Sequence, residues 1–103
     1  MVSDHTLSVL NEVAAERARQ DAKWGDQRSH ADGTNLANAG WREHSRALCE
    51  RAAAEGRLTW AHILQEEFTE ALAEVDPVKL RAELVQVAAV AAVWIEAIDR
   101  RTA

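Results

Sequence analysis

Apolar residues recur at three- and four-residue intervals in four blocks of the chain, the period of an amphipathic helix. The first block carries Leu7, Leu10, Val13 and Ala14 on one edge and Glu12, Glu16, Arg19 and Asp21 on the polar side. It predicts a helix capped by Ser3 or Asp4, running to about Trp24 and closed by Gly25. A second helix is predicted over 41–55, ended by Gly56, with Trp41, Ala47 or Leu48, and Ala52 facing inward. Thr59 suits the N-cap of a third helix reaching Leu72, whose buried stripe is Trp60, Ile63, Leu64 and Phe68. Asp76-Pro77 breaks the chain: Asp76 caps, and Pro77 fits a first turn, where its missing N–H costs nothing. The fourth helix runs from Val78 to about Arg101 through Leu80, Leu84, Val87, Trp94 and Ile98. It is apolar nearly all round between Val87 and Ile95, which predicts the central, most buried helix. Ala88, Ala89, Ala91 and Ala92 permit close helix approach, inside one bundle or across a dimer interface. The expected fold is all-α, a bundle of about four helices built on a C-terminal helical hairpin.

Between the first two helices, residues 25–40 are polar and rich in Gly, Asn, Asp and Ser, and read mostly as loop, either a binding loop or a disordered segment. At its mouth Lys23 is placed to contact phosphates and Trp24 to stack on a base; the alternative is a solvated Lys23 and a Trp24 that plugs the bundle end. His30 and Asp32 read as a solvated loop pair, His5 and His44 as surface residues, and His62 as structural or exposed. Arg42, Arg46 and Arg51 form the densest set of positive charges. They either pair with Glu43, Glu50 and Glu55 on a solvated face, or one of them reaches a triphosphate.

With 103 residues the chain is read as one small domain spanning 1–103, able to bury only a little over ~60% of its unfolded surface. That favours a homodimer or homotetramer. A net charge of −5 argues against a nucleic-acid duplex or an anionic membrane as partner, since no basic stripe exists to release counterions. Cys49 is the only cysteine, so no intrachain disulfide forms, which fits the cytoplasm. Residues 1–5 lack the basic and apolar regions of a secretory leader. The apolar run from Val87 to Ile95 falls far short of the ~20 residues that span a bilayer.

The chemistry concentrates in the C-terminal hairpin. With the turn centred between Asp76 and Pro77, Glu70 stands level with Glu83, and Glu67 level with Gln86. Within each helix the two members are three apart and share a face, so the four oxygen-bearing side chains converge if the helices turn those faces together. Three carboxylates in one place repel and resist desolvation unless neutralised. An all-oxygen ligand set without Cys or paired His suits Mg²⁺, or Mn²⁺, rather than zinc. Because Mg²⁺ keeps open positions for phosphate oxygens, such a site points at nucleotides, for which the metal is also the bridge between an anionic protein and an anionic ligand.

These residues resemble the MazG-like nucleotide pyrophosphohydrolases, whose signature is Glu-Glu-x-x-Glu, a spacer of one to two dozen residues, and Glu-x-x-Asp. Glu66-Glu67-Phe68-Thr69-Glu70 matches the first half, and Glu83-Leu84-Val85-Gln86 the second except that Gln86 stands where the family has Asp. Lys23-Trp24-Gly25 and Leu58-Thr59-Trp60 add a vaguer likeness to short actinobacterial and phage members. The resemblance implies metal-dependent cleavage of a nucleoside triphosphate between the α and β phosphates. Glu67, Glu70 and Glu83 then hold Mg²⁺, Gln86 is a neutral ligand or donor beside it, and Glu66 is the general base. Gln86 takes one negative charge from the site and weakens the metal. The rival expectation is a nucleotide-binding or protein-interaction module that kept the helices and lost catalysis.

Overall fold

The computed structural model describes residues 1–102. It is all-α, as the periodicity predicts, with α1 (Asp4–Trp24), α2 (Ala39–Ala54), α3 (Trp60–Ala73) and α4 (Pro77–Thr102). A 3₁₀ turn, Leu36–Asn38, leads into α2, and no strand occurs among the described residues. The chain divides into two compact units: Met1–Asp32 with the chain from Ala92 onward, and Gly33–Ala91.

Local signals set the helix ends. The Ser3 side chain accepts from the Thr6 amide to start α1, and Gly25, at φ 75°, closes it by donating to Asp21. α2 ends in a Schellman motif, Arg57 N–H donating to the Ala52 carbonyl and Gly56 N–H to Ala53, with Gly56 at φ 70°. α3 opens with a reciprocal capping box. Thr59 Oγ1 accepts from the His62 amide at 3.2 Å while His62 Nδ1 accepts from the Thr59 amide at 3.1 Å, which gives His62 its structural role. Asp76 Oδ2 accepts from the Lys79 amide at 3.0 Å, starting α4 with Pro77 as its first residue.

In the first unit the inward line of α1 runs through Thr6 and Val9, not along the expected edge of Leu7, Leu10 and Val13, which stays exposed. Polar ties accompany that rotation. Thr6 Oγ1 donates to Glu96 at 2.8 Å, and the His5 ring meets Asp99 at 2.9 Å, so His5 has a partner that its position in the sequence does not suggest.

In the second unit α2 and α3 form an antiparallel hairpin. The residues buried along it are small: Ser45 and Ala52 on α2, Thr69, Ala71 and Ala73 on α3. The bulky stripe expected to fill α3 is displaced to the rim. Trp60, Ile63 and Leu64 are half-buried, and Phe68 is exposed, meeting Trp41 edge-on at 6.2 Å. Small residues at a helix contact bring the backbones too close for large rings to sit between them. Residues 34–40 are likewise more ordered than a loop reading implies. The Asn35 amide and Asn38 Nδ2 both donate to the Leu72 carbonyl at 3.0 Å, satisfying one of the orphan acceptors at the end of α3. The expectation for α4 is also corrected: only Leu80 and Ala92 on it are buried hydrophobics, and Leu84, Val85, Val93, Ile95 and Ile98 are exposed. At 26 residues it is nearly twice as long as the 14-residue α3, so its hairpin partner covers only part of it. No described helix is long and apolar enough to cross a membrane.

Candidate metal centre

The α3–α4 turn is short, from Glu74 to Asp76, which holds the two helices antiparallel and fixes the level at which their side chains meet. Glu67 and Glu70 lie one turn apart on α3, and Glu83 faces them from α4. One carboxylate oxygen from each lies within 4.8 Å of the other two, and all three side chains are half-buried. They are the only such grouping of potential metal ligands among the described residues. Glu83 meets both Glu67 and Glu70; the turn is centred at Val75, one to two residues before the expected centre.

At this separation each pair of like charges repels by about 1 kcal/mol in water and about 4 kcal/mol at the polarity of a protein surface. The acids respond accordingly. Burial pushes the Glu67 carboxyl above its ordinary 4.5, and the charges of Glu70 and Glu66 push it the same way. Burial raises Glu83 too, followed by its hydrogen bond with Glu70 and the charges of Glu70, Glu67 and Glu74. The cluster is therefore short of positive charge. Its one ion pair among the described residues is with Arg46 of α2, whose guanidinium lies 3.5 Å from Glu70 Oε1.

On α2 the Cys49 thiol is pushed up to about 11, first by hydrogen bonding to Glu66, then by burial and by the charges of Glu66, Glu50 and Glu67. Glu66 borders the triad without joining it. Gln86 lies one turn beyond Glu83 on α4 and is exposed. Lys23 and Trp24 belong to the first unit, where both are exposed and the Lys23 ammonium sits 4.7 Å above the Trp24 ring. His30 and Asp32 are exposed.

Arg46 and Cys49 are the residues that reading α3 and α4 alone leaves out. The α2–α3 turn is longer, so its centre does not single out these partners, and the pairing of Arg46 with Glu70 is read from the structure. The expected pairing of the α2 arginines with acids of their own helix is replaced. Arg46 takes Glu70, and Glu55 takes Arg57 at 2.6 Å.

Three carboxylates at this spacing, with oxygen as the only donor type, fit a hard divalent cation. They offer no sulfur or imidazole that would select zinc. Comparison with protein-family models, with curated proteins and with solved structures finds no match for this chain.

Proposed function

We propose that this chain is a divalent-metal-dependent nucleoside triphosphate pyrophosphohydrolase of the MazG-like type, converting a ribo- or deoxyribonucleoside triphosphate and water to the monophosphate and pyrophosphate. The observation that carries the reading is the convergence of Glu67, Glu70 and Glu83 from two consecutive helices at the register of the Glu-Glu-x-x-Glu and Glu-x-x-Gln segments. In this reading those three residues hold Mg²⁺ or Mn²⁺, and Gln86 offers a neutral amide oxygen or a donor to a coordinated water. When bound, the ion supplies Lewis acidity at a phosphate oxygen and offsets the charge of the cluster. Glu66, adjacent to the triad in sequence, accepts the proton of the attacking water. The protein works in the cytoplasm, where nucleoside triphosphates are made, as a homodimer or homotetramer, with no duplex nucleic acid and no membrane as partner.

The test is pyrophosphate release from a panel of ribo- and deoxyribonucleoside triphosphates with Mg²⁺ or Mn²⁺, with Glu67→Gln as control. Metal-dependent release that disappears in the control is expected. Silence across the panel with nucleotide binding retained means that Gln86 marks a binding module without catalysis.

A further inference from the structure

We propose that Arg46 is the residue that holds a phosphate group of the nucleotide, and that Glu70 keeps its guanidinium at the site until the metal-bound nucleotide arrives. The inference rests on the metal-site reading above and adds to it a second attachment point, on α2.

The charge balance demands such a point. The triad carries three negative charges, and one divalent ion leaves it still negative, with Glu66 beside it. A triphosphate adds several more negative charges, so a metal alone leaves anion facing anion. The cationic side chain already at the cluster is Arg46, 3.5 Å from Glu70 Oε1. Its planar guanidinium matches two phosphate oxygens at once, which a point charge cannot do. The contact with Glu70 is single and long, and the Arg46 side chain is 47% exposed, so it is free to change partners.

The surroundings on α2 support the assignment independently. Arg42, Ser45, Arg46 and Cys49 stand at i, i+3, i+4 and i+7, which puts them on one face of α2. Arg46 meets Glu70, so this is the face turned to the acidic helix. Along it the Ser45 hydroxyl, in a residue only 2% exposed, and Arg42 Nε are buried without a hydrogen-bond partner. Buried polar groups are normally satisfied. The Arg42 Nε–H is thus a donor without an acceptor on this flank, and the Ser45 hydroxyl, able to donate or accept, is a second unpaired group beside it. Arg42, one turn from Arg46, is the second guanidinium on that path.

Metal and nucleotide binding separate the possibilities. Mn²⁺ alone is titrated calorimetrically into the wild type, Arg46→Gln and Arg46→Lys. An α,β-methylene nucleoside triphosphate, which resists cleavage at that bridge, is then titrated with Mn²⁺ present. The expected result for Arg46→Gln is Mn²⁺ affinity unchanged or tighter, since a competing cation has gone, with affinity for the analogue weakened about 10- to 100-fold. Arg46→Lys recovers part of the loss, keeping the charge but not the fork. Wild-type affinity for the analogue in Arg46→Gln, with Mn²⁺ binding intact, overturns the role of Arg46 and leaves the metal site standing. Loss of Mn²⁺ and analogue together in that variant overturns it as well, by showing Arg46 to be structural. Failure of the wild type to bind Mn²⁺ removes the metal-site reading itself.

Discussion

Glu67 and Glu83 differ from ordinary surface carboxylates in the direction of their titration, and the consequence for stability has a definite sign. Both are raised above 4.5 in the folded state. Their contribution to stability is fully present below 4.5 and is lost as pH rises through the raised values. Metal-free protein should therefore melt at higher temperature near pH 5 than at pH 7, and Glu67→Gln should flatten that dependence in a calorimetric series. Asp21 and Asp26 act in the opposite sense, held below 3.8 chiefly by Arg17 and by Arg28 respectively, so their contribution is lost only at still lower pH and does not obscure the effect. At pH 7 a cation at one hundred times its Kd should restore about 2.7 kcal/mol. A flat profile, together with no thermal shift on adding Mg²⁺ or Mn²⁺, would remove the physical case for the site. Cys49 checks the direction of Glu66 without any metal. With its thiol at about 11 instead of the ordinary 9.0, its thiolate fraction at pH 8 is about 100-fold below normal, and iodoacetamide should react correspondingly slowly. Glu66→Gln removes the leading cause and should speed alkylation; an unchanged rate would place Glu66 elsewhere. The meeting of Glu67 and Glu70 with Glu83 was legible in the sequence because a short turn brings the two acidic segments to nearby levels. The Arg46 contact was not, because a longer turn precedes α3 and leaves the register of α2 open.

Element boundaries were legible where a single residue type carries the signal. Ser3, Gly25, Gly56, Thr59 and Asp76-Pro77 each act within a few residues of themselves, so caps and stops survive without knowledge of the tertiary structure. Thr59→Ala should cost about 1 kcal/mol in denaturant unfolding, by removing the hydroxyl that receives the His62 amide. Gly56→Ala should cost a similar amount. No neighbour crowds a Cβ at that position, but φ 70° is unfavourable for any residue that has one. If Gly56→Ala proves neutral, the Schellman ending of α2 is not formed in solution. The rotation of each helix about its axis was not legible, because it depends on partners distant in sequence. Leu7, Leu10 and Val13 make a convincing apolar edge by spacing, yet Val9 turns inward instead, accompanied by the ties from Thr6 to Glu96 and from His5 to Asp99. Phe68 lost its expected core position for a related reason, since alanines at the contact of α2 and α3 leave no space for a ring. The docking of Asn35 and Asn38 on Leu72 escaped notice because its acceptor is a backbone carbonyl, which no side-chain pattern reveals.

At the scale of the whole molecule the core of a single chain is thin. Six hydrophobic side chains are buried among the described residues, and four of them are alanines: Ala52, Ala71, Ala73 and Ala92. Burial contributes about 25 cal/mol per Å² of apolar area, so methyl groups alone supply little of what folding a chain of this length requires. Apart from Val9 and Leu80, the larger apolar side chains are half-buried or exposed. Along α4, Leu84, Ala88, Ala91, Ile95 and Ile98 follow one another at alternating steps of four and three, the spacing of a seam between paired helices. Leu84, Ala88, Ile95 and Ile98 on that line are exposed, and Ala91 is half-buried. The alanines in its middle allow a second helix to approach closely, and the homodimer proposed above would place the same stripe of a second copy there. An interface of this kind is self-complementary about a two-fold axis. Sedimentation equilibrium should therefore find a mass of twice 11.4 kDa at micromolar concentration. Ile95→Asp puts a charge on the seam at a residue 38% exposed within one chain, so it should halve that mass while helical circular dichroism persists at high protein concentration. A wild type that sediments at 11.4 kDa throughout would refute the pairing. A mutant that remains dimeric would move the interface off α4, leaving the exposed edge of α1, Leu7, Leu10 and Val13, as the next apolar face to be mutated.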